Sequence, residues 1–284
     1  MMHVLLTAAL LGAPLAAQAR DTTVRLTPGT TVEVSSFSQP IMVTGTSGDL
    51  LTVRGATIDV GRRTVEIDGQ VFGRGPKGPI MIQLPTSARL TIDAVSGPVT
   101  VTNAPDRLEI DAVDGPVNIT GGRGEMSISA TGEISVANFA GERLSINGLA
   151  GGIIVRGASG IVEIENVNGP ILLERMASRD VQISSVNGQV RWRGDFDPAG
   201  RFTIESHNGG IELVVPATLS ARLQIETFNG GLSSEIPARI TGDDRRRDGP
   251  PTERSITATY GRGQAAIDIT TFNGGIRILR LGGT

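Results

Sequence analysis

The chain has no cysteine. That excludes disulfides, thiolate metal sites, a cysteine nucleophile and a lipid-modified N-terminal cysteine. Aromatic residues are scarce, at 3% of 284 residues, with a single Trp (Trp192). His207 is the only histidine beyond His3, so two histidine ligands for a zinc site are not available in the body of the chain. There is no GxSxG elbow, no HExxH helix motif and no GGxGxD calcium-binding nonapeptide. The Gly/Pro segment 73–79 (GRGPKGP) lacks the spacing of a phosphate-binding P-loop and reads as a turn with one lysine. A formal net charge of -3 leaves no nucleic-acid footprint. No catalytic residue, metal ligand or cofactor is assigned on these grounds.

Long apolar runs are also absent after residue 19; no stretch approaches the ~20 apolar residues of a membrane span. Residues 1–19 are expected to be a secretory signal peptide. Val4 to Leu15 is mostly apolar, and Ala17-Gln18-Ala19 fits a small-x-small cleavage site, although the n-region carries His3 and no Lys or Arg. The expectation is therefore an exported protein, in the periplasm or at the cell surface, with no transmembrane helix in the mature chain.

What the sequence has in abundance is glycine, 38 residues, placed at regular intervals. Ile92, Ile110, Ile128, Ile146 and Ile164 recur at a constant spacing of 18, and each opens a similar phrase, IDAVSGPV, IDAVDGPV, ISATGEIS, INGLAGGI and IENVNGPI. The phrase returns from Ile183, Ile204, Ile225 and Ile269, and the register extends back to Val34. Two-residue spacings such as Leu90–Ile92 and Val99–Val101 mark strands with one buried face, with polar residues such as Glu109 and Asp111 turned to water. The three-residue step to Val95, Val113, Leu149 and Val167 marks a bend, and these positions are expected in the core. A unit that repeats every 18 residues must return to the same place to add its strands to the last, which predicts a stack of coils.

Asn-Gly pairs mark the corners: Asn168-Gly169, Asn187-Gly188, Asn208-Gly209, Asn229-Gly230 and Asn273-Gly274. Glycine tolerates positive φ and Asn can bond the local backbone. Stacked Asn side chains are expected to bond one another from coil to coil as a ladder. The fold expectation is an all-β, single-domain β-solenoid (β-helix) over residues 20–284. It would hold about ten coils of 18–21 residues at ~4.8 Å per coil. Residues 238–254 are charged and Pro-containing and read as an exposed loop inserted in the solenoid. The last coil is expected to end the stack, with Arg277 and Arg280 guarding its free edge.

Departures from the repeat are the candidate binding residues: Trp192, His207 and the run Arg245, Arg246, Arg247. Each has a plainer reading: a corner pair in which His207 packs beside Trp192 and Phe228, and a solvated loop of mixed charge. The outward carboxylates Asp93 and Asp111 could pair as in glycan-cleaving enzymes, but a charged row on a strand is usually a solvated face.

The repeated phrases IENVNGPILL, ISSVNGQVRW and IETFNGGLSS resemble the bacterial putative-adhesin β-strand-repeat family, a domain of unknown function related to the head-GIN domain. The resemblance covers roughly residues 34–282. It implies a right-handed, non-enzymatic β-solenoid outside the cytoplasmic membrane, with an envelope protein or polysaccharide as partner. The functions that follow are a non-catalytic envelope scaffold or adhesin-like binding protein, a carbohydrate-active β-helix enzyme using the outward carboxylates, or an extracytoplasmic sensor domain contacting a membrane signalling protein.

Overall fold

The computed structural model describes residues 21–69, 78–245 and 254–282. Among the described residues the chain is all-β, with 27 strands and no helix. The strands form two long, mostly parallel sheets, one of thirteen strands and one of fourteen. Each repeat contributes one short strand to each sheet. Arg89–Ala94 lies in the larger sheet, Val99–Ala104 in the smaller, and Arg107–Ala112 returns to the larger. The fold is solenoid-like, and we call each pair of strands a rung.

The 18-residue spacing is what sets the register. Ile92 pairs with Ile110, Ile110 with Ile128, Ile128 with Ile146 and Ile146 with Ile164. Val34 pairs with Ile92, so the repeat does begin there. Strand alternation sends Leu90 and Ile92 inward while Asp93 stays exposed. The inward residues of both sheets belong to one buried apolar cluster. Burying each such side chain contributes about 1.5–3 kcal/mol. A one-residue slip would turn a whole rung's apolar side chains to water, so each rung fixes the next.

Rung order departs from chain order at both ends. Thr31–Ser36 lies between Thr64–Asp68 and Arg89–Ala94 in the larger sheet. At the other end Ala265–Thr271 pairs with Arg201–Ser206 on one side and Ala221–Thr227 on the other. Likewise Ile276–Arg280 lies between Ile211–Val215 and Leu232–Ser234. The chain overshoots by one rung, turns, and fills the gap with its final segment. The expectation that this segment ends the stack is thus corrected. Arg277 guards no free edge; it reaches across to Glu212, which also receives Arg191, at 2.9 and 2.7 Å.

The expected loop 238–254 is also corrected in part. Arg239–Arg245 is a strand, pairing antiparallel with Arg254–Tyr260, which pairs antiparallel with Ala221–Thr227. At the opposite end Thr22–Arg25 pairs antiparallel with Leu50–Arg54, and Thr57–Val60 with Thr64–Asp68. Antiparallel strands interrupt the parallel pattern in both sheets at this end and in the larger sheet at the other, where the smaller sheet ends on the parallel strand Leu232–Ser234. Arg246 and Arg247, residues 1–19 and most of segment 73–79 lie outside the described residues.

Candidate functional site: the corner of the stack

The corner where each rung leaves the larger sheet is built from four successive positions. The first points inward and is small: Ala94, Ala112, Ala130 and Gly148, then Asn166, Ser185, Ser206, Thr271 and Thr227. At Ser185, Ser206 and Thr271 the hydroxyl closes the corner from inside, whereas that of Thr227 is buried without a partner among the described residues. The Ser185 and Ser206 hydroxyls donate to the carbonyls of Gly188 and Gly209 at 3.2 and 3.0 Å. A buried polar side chain is tolerated here because the turn carbonyl accepts its proton.

The second position points out. Val95, Val113, Leu149, Val167, Val186 and Phe272 are exposed, from 37% at Val167 to 62% at Val113. This corrects the expectation that Val95, Val113, Leu149 and Val167 are core. The reason is parity: side chains alternate along a strand, so a residue three positions after buried Ile92 falls on the opposite face. These residues form a stripe along the stack, interrupted by Thr131 on the rung between Val113 and Leu149. His207 occupies the same position and its ring stacks on Phe272 at 4.9 Å and 7°, with Phe228 5.0 Å from Phe272.

The third position is the asparagine ladder, and it forms as expected. Asn187 donates to Asn168 at 3.0 Å, Asn208 to Asn187 at 3.1 Å, Asn273 to Asn208 at 2.9 Å and Asn229 to Asn273 at 2.9 Å. The ladder follows the spatial rung order, with Asn273 between Asn208 and Asn229.

The fourth position is glycine for two reasons: Gly97, Gly115 and Gly169 lie in the left-handed region as expected, at φ 109°, 115° and 122°, and the others answer to a constraint the sequence reading did not supply. Gly188, Gly209, Gly230 and Gly274 do not lie in the left-handed region. Their constraint is distance: a Cβ on Gly188 would sit 2.0 Å from the Gly169 carbonyl oxygen, and one on Gly209 2.0 Å from that of Gly188. Consecutive rungs approach backbone to backbone at this edge.

Beside the stripe, on the outer face of the larger sheet, runs a polar row in register: Asp93, Asp111, Ser129, Asn147, Glu165, Ser184, Glu205, Thr270 and Glu226. Between row and stripe lie open grooves. One, of about 430 Å³, is lined by Asp111, Val113, Leu149, Glu165 and Val167 among others. A second, of about 490 Å³, includes Glu205, His207, Phe228 and Phe272. Asp93 and Asp111 occupy adjacent rungs, each preceding a buried alanine. Among the described residues no group of three or more His, Cys, Asp or Glu is placed to hold a metal ion.

The structure separates the other candidates. Trp192 is 1% exposed and stacks on Phe196 at 4.3 Å, with the edge of Phe202 at 5.5 Å. These rings fill the interior beside the return connection at residues 194–200, so Trp192 is core and presents nothing to a partner. His207 packs on Phe272, not on Trp192. Arg245 ends its strand in register, through Arg254, with the corner residue Thr227, and the two arginines after it are not described. Sequence reasoning missed Glu212, whose side chain is 7% exposed between Arg191 and Arg277. One of its partners is 65 residues away in sequence, and only the rung order reveals the contact.

No curated protein matches the chain. Among solved structures it is similar to a "putative cell adhesion protein" from Clostridium sporogenes, at 10% identity, 93% coverage of this chain, 100% of that one and a TM-score of 0.23. It is also similar to a "putative adhesin" from Bacteroides fragilis (12% identity, 93% and 98% coverage, TM-score 0.43) and another from Parabacteroides merdae (11%, 93% and 97%, TM-score 0.42). The model of the Toastrack family, a domain of unknown function (Toastrack DUF4097), matches residues 18–279, and the chain belongs to that family.

Proposed function

We propose that this protein is a non-catalytic, exported scaffold or adhesin-like binding protein of the cell envelope. In this reading residues 1–19 direct export to the periplasm or cell surface. Residues 20–284 form a single right-handed domain of about ten coils, and the partner is an envelope protein or polysaccharide. The observation that supports the reading is the exposed apolar stripe with open grooves beside it. Isolated surface hydrophobes are ordinary, but a row that recurs on most rungs is characteristic of an interaction surface. A long open face also suits an extended partner better than a small substrate, which is commonly held in an enclosed pocket. His207, within that surface, and the Arg245–Arg247 run are the proposed contacts.

The test is affinity capture from envelope extracts followed by mass spectrometry and glycan analysis. Specific recovery of an envelope protein or polysaccharide is the expected result; recovery of neither would overturn the proposal. Cleavage across a glycan panel that is lost in Asp93→Asn or Asp111→Asn would favour the enzyme reading instead. Recovery of a membrane signalling protein would favour the sensor reading.

A further inference from the structure

The polar row beside the stripe has a one-sided charge. Its ionisable members are Asp93, Asp111, Glu165, Glu205 and Glu226, and no Lys or Arg stands in the row. All five are exposed, and none has an ion-pair partner among the described residues. The arginines of the same face, Arg89, Arg107, Arg143, Arg201 and Arg222, stand four residues upstream on their strands, and Arg107 and Arg143 are already paired, with Glu125 and Glu163. Four residues of strand span ~13 Å, beyond the ~8 Å screening length at physiological salt. The groove therefore presents an apolar wall and an anionic wall with no cation of its own.

We infer that this groove is a docking site for a basic amphipathic polypeptide segment. Its apolar side chains would cover the stripe while its Lys or Arg side chains reach the carboxylate row. The inference rests on the reading of the protein as a binding module, and it names the partner's chemistry. Charge complementarity decides between occupants. A second copy would bring an identical acidic row against this one, and like charges brought together oppose association. A neutral glycan would leave the carboxylate row without a counter-charge. Rung spacing bears on the partner's form: rungs repeat at ~4.8 Å and a helix at ~5.4 Å per turn, whereas same-face residues of an extended chain lie ~6.8 Å apart. A basic helix laid along the stack keeps better step with the stripe.

The probe is a fluorescein-labelled 18-residue peptide with leucine on one helical face and lysine on the other, measured by anisotropy against the full chain. Two triple variants divide the groove: D111N/E165Q/E205Q removes charge, and V113S/L149S/V167S removes the apolar wall. All six side chains are exposed, so both variants keep the fold, as circular dichroism will verify. The expected result is salt-sensitive binding that each triple weakens by about tenfold or more. The inference is overturned if the peptide does not bind, if either triple leaves the affinity within twofold, or if a leucine/glutamate peptide binds as well. Concentration-dependent self-association that is lost in the serine triple would assign the stripe to a second copy and also overturn it. Envelope capture that persists unchanged in both triples would leave the binding-protein reading standing while removing this one.

Discussion

Gly188→Ala tests the physical basis of the corner. The added Cβ would sit 2.0 Å from the Gly169 carbonyl oxygen and 2.7 Å from its carbon. That is about 1.4 Å short of ordinary van der Waals contact, and backbone cannot swing away as a side-chain end can. The rungs must part at this edge, which strains the Asn187–Asn168 and Asn208–Asn187 bonds on the same corner. Overpacking in a well-filled region costs about 1–3 kcal/mol, and each hydrogen bond that is lost about 1 kcal/mol. The reduced freedom of the unfolded chain returns roughly 0.4–1 kcal/mol. A net loss of about 3 kcal/mol should lower Tm by roughly 6–12 °C in a chain of this size. The control is Gly231→Ala, where a Cβ would have no heavy atom within 4 Å and φ is outside the left-handed region. It should melt within about 0.5 kcal/mol of the parent. The assay is thermal and urea denaturation followed by circular dichroism. If Gly188→Ala and Gly231→Ala melt alike, the close-approach explanation of the glycine ladder is wrong.

Two further outcomes follow from the interior. Burial raises the pKa of the Tyr260 hydroxyl above its ordinary 10.0, with the hydrogen bond to Ser234 pulling partly back. Its folded pKa is raised, so its contribution is intact below pH 10.0 and is lost as pH rises through the folded value. Urea midpoints should therefore fall as pH rises above 10.0, and those of Tyr260→Phe should fall less steeply; equal slopes would contradict the assignment. Trp192→Ala should cost about 3–5 kcal/mol through the cavity beside Phe196 and Phe202. Where it remains folded it should keep the parent's affinity for any captured partner, and a selective loss of binding would return Trp192 to the surface site.

The register was legible because its cause is local. Alternating apolar residues at a fixed 18-residue spacing leave one arrangement that buries every isoleucine, and the pairs Ile92–Ile110–Ile128 follow it. The asparagine ladder was legible for the same reason. Rung order was not, because a repeat makes rungs interchangeable. Ile269 fits equally against Ile204 and Ile225, and in the structure it pairs with both. The stripe was misread for a different reason. Apolar composition suggested burial for Val95 and its equivalents, although the odd spacing from Ile92 already placed them on the other face. Small inward residues such as Ala94 and Ala112 were the available signal. The contacts of His207 with Phe272, and of Glu212 with Arg277, depend on rung order and could not be read from sequence.

The corner is one continuous surface only because the final segment fills the gap between rungs 201–215 and 221–234. Without that insertion Phe272 would not lie between His207 and Phe228, and the asparagine ladder would run in chain order. The absence of native cysteine permits a direct measurement by paired cysteine substitution, oxidation and peptide mass spectrometry. Neighbouring rungs lie ~4.8 Å apart, within disulfide reach, and rungs two apart ~9.6 Å, beyond it. Asn208→Cys with Asn273→Cys should form an intramolecular disulfide, and Asn208→Cys with Asn229→Cys should not. The reverse pattern would contradict the rung order and, with it, the continuous corner surface on which the proposed binding function rests.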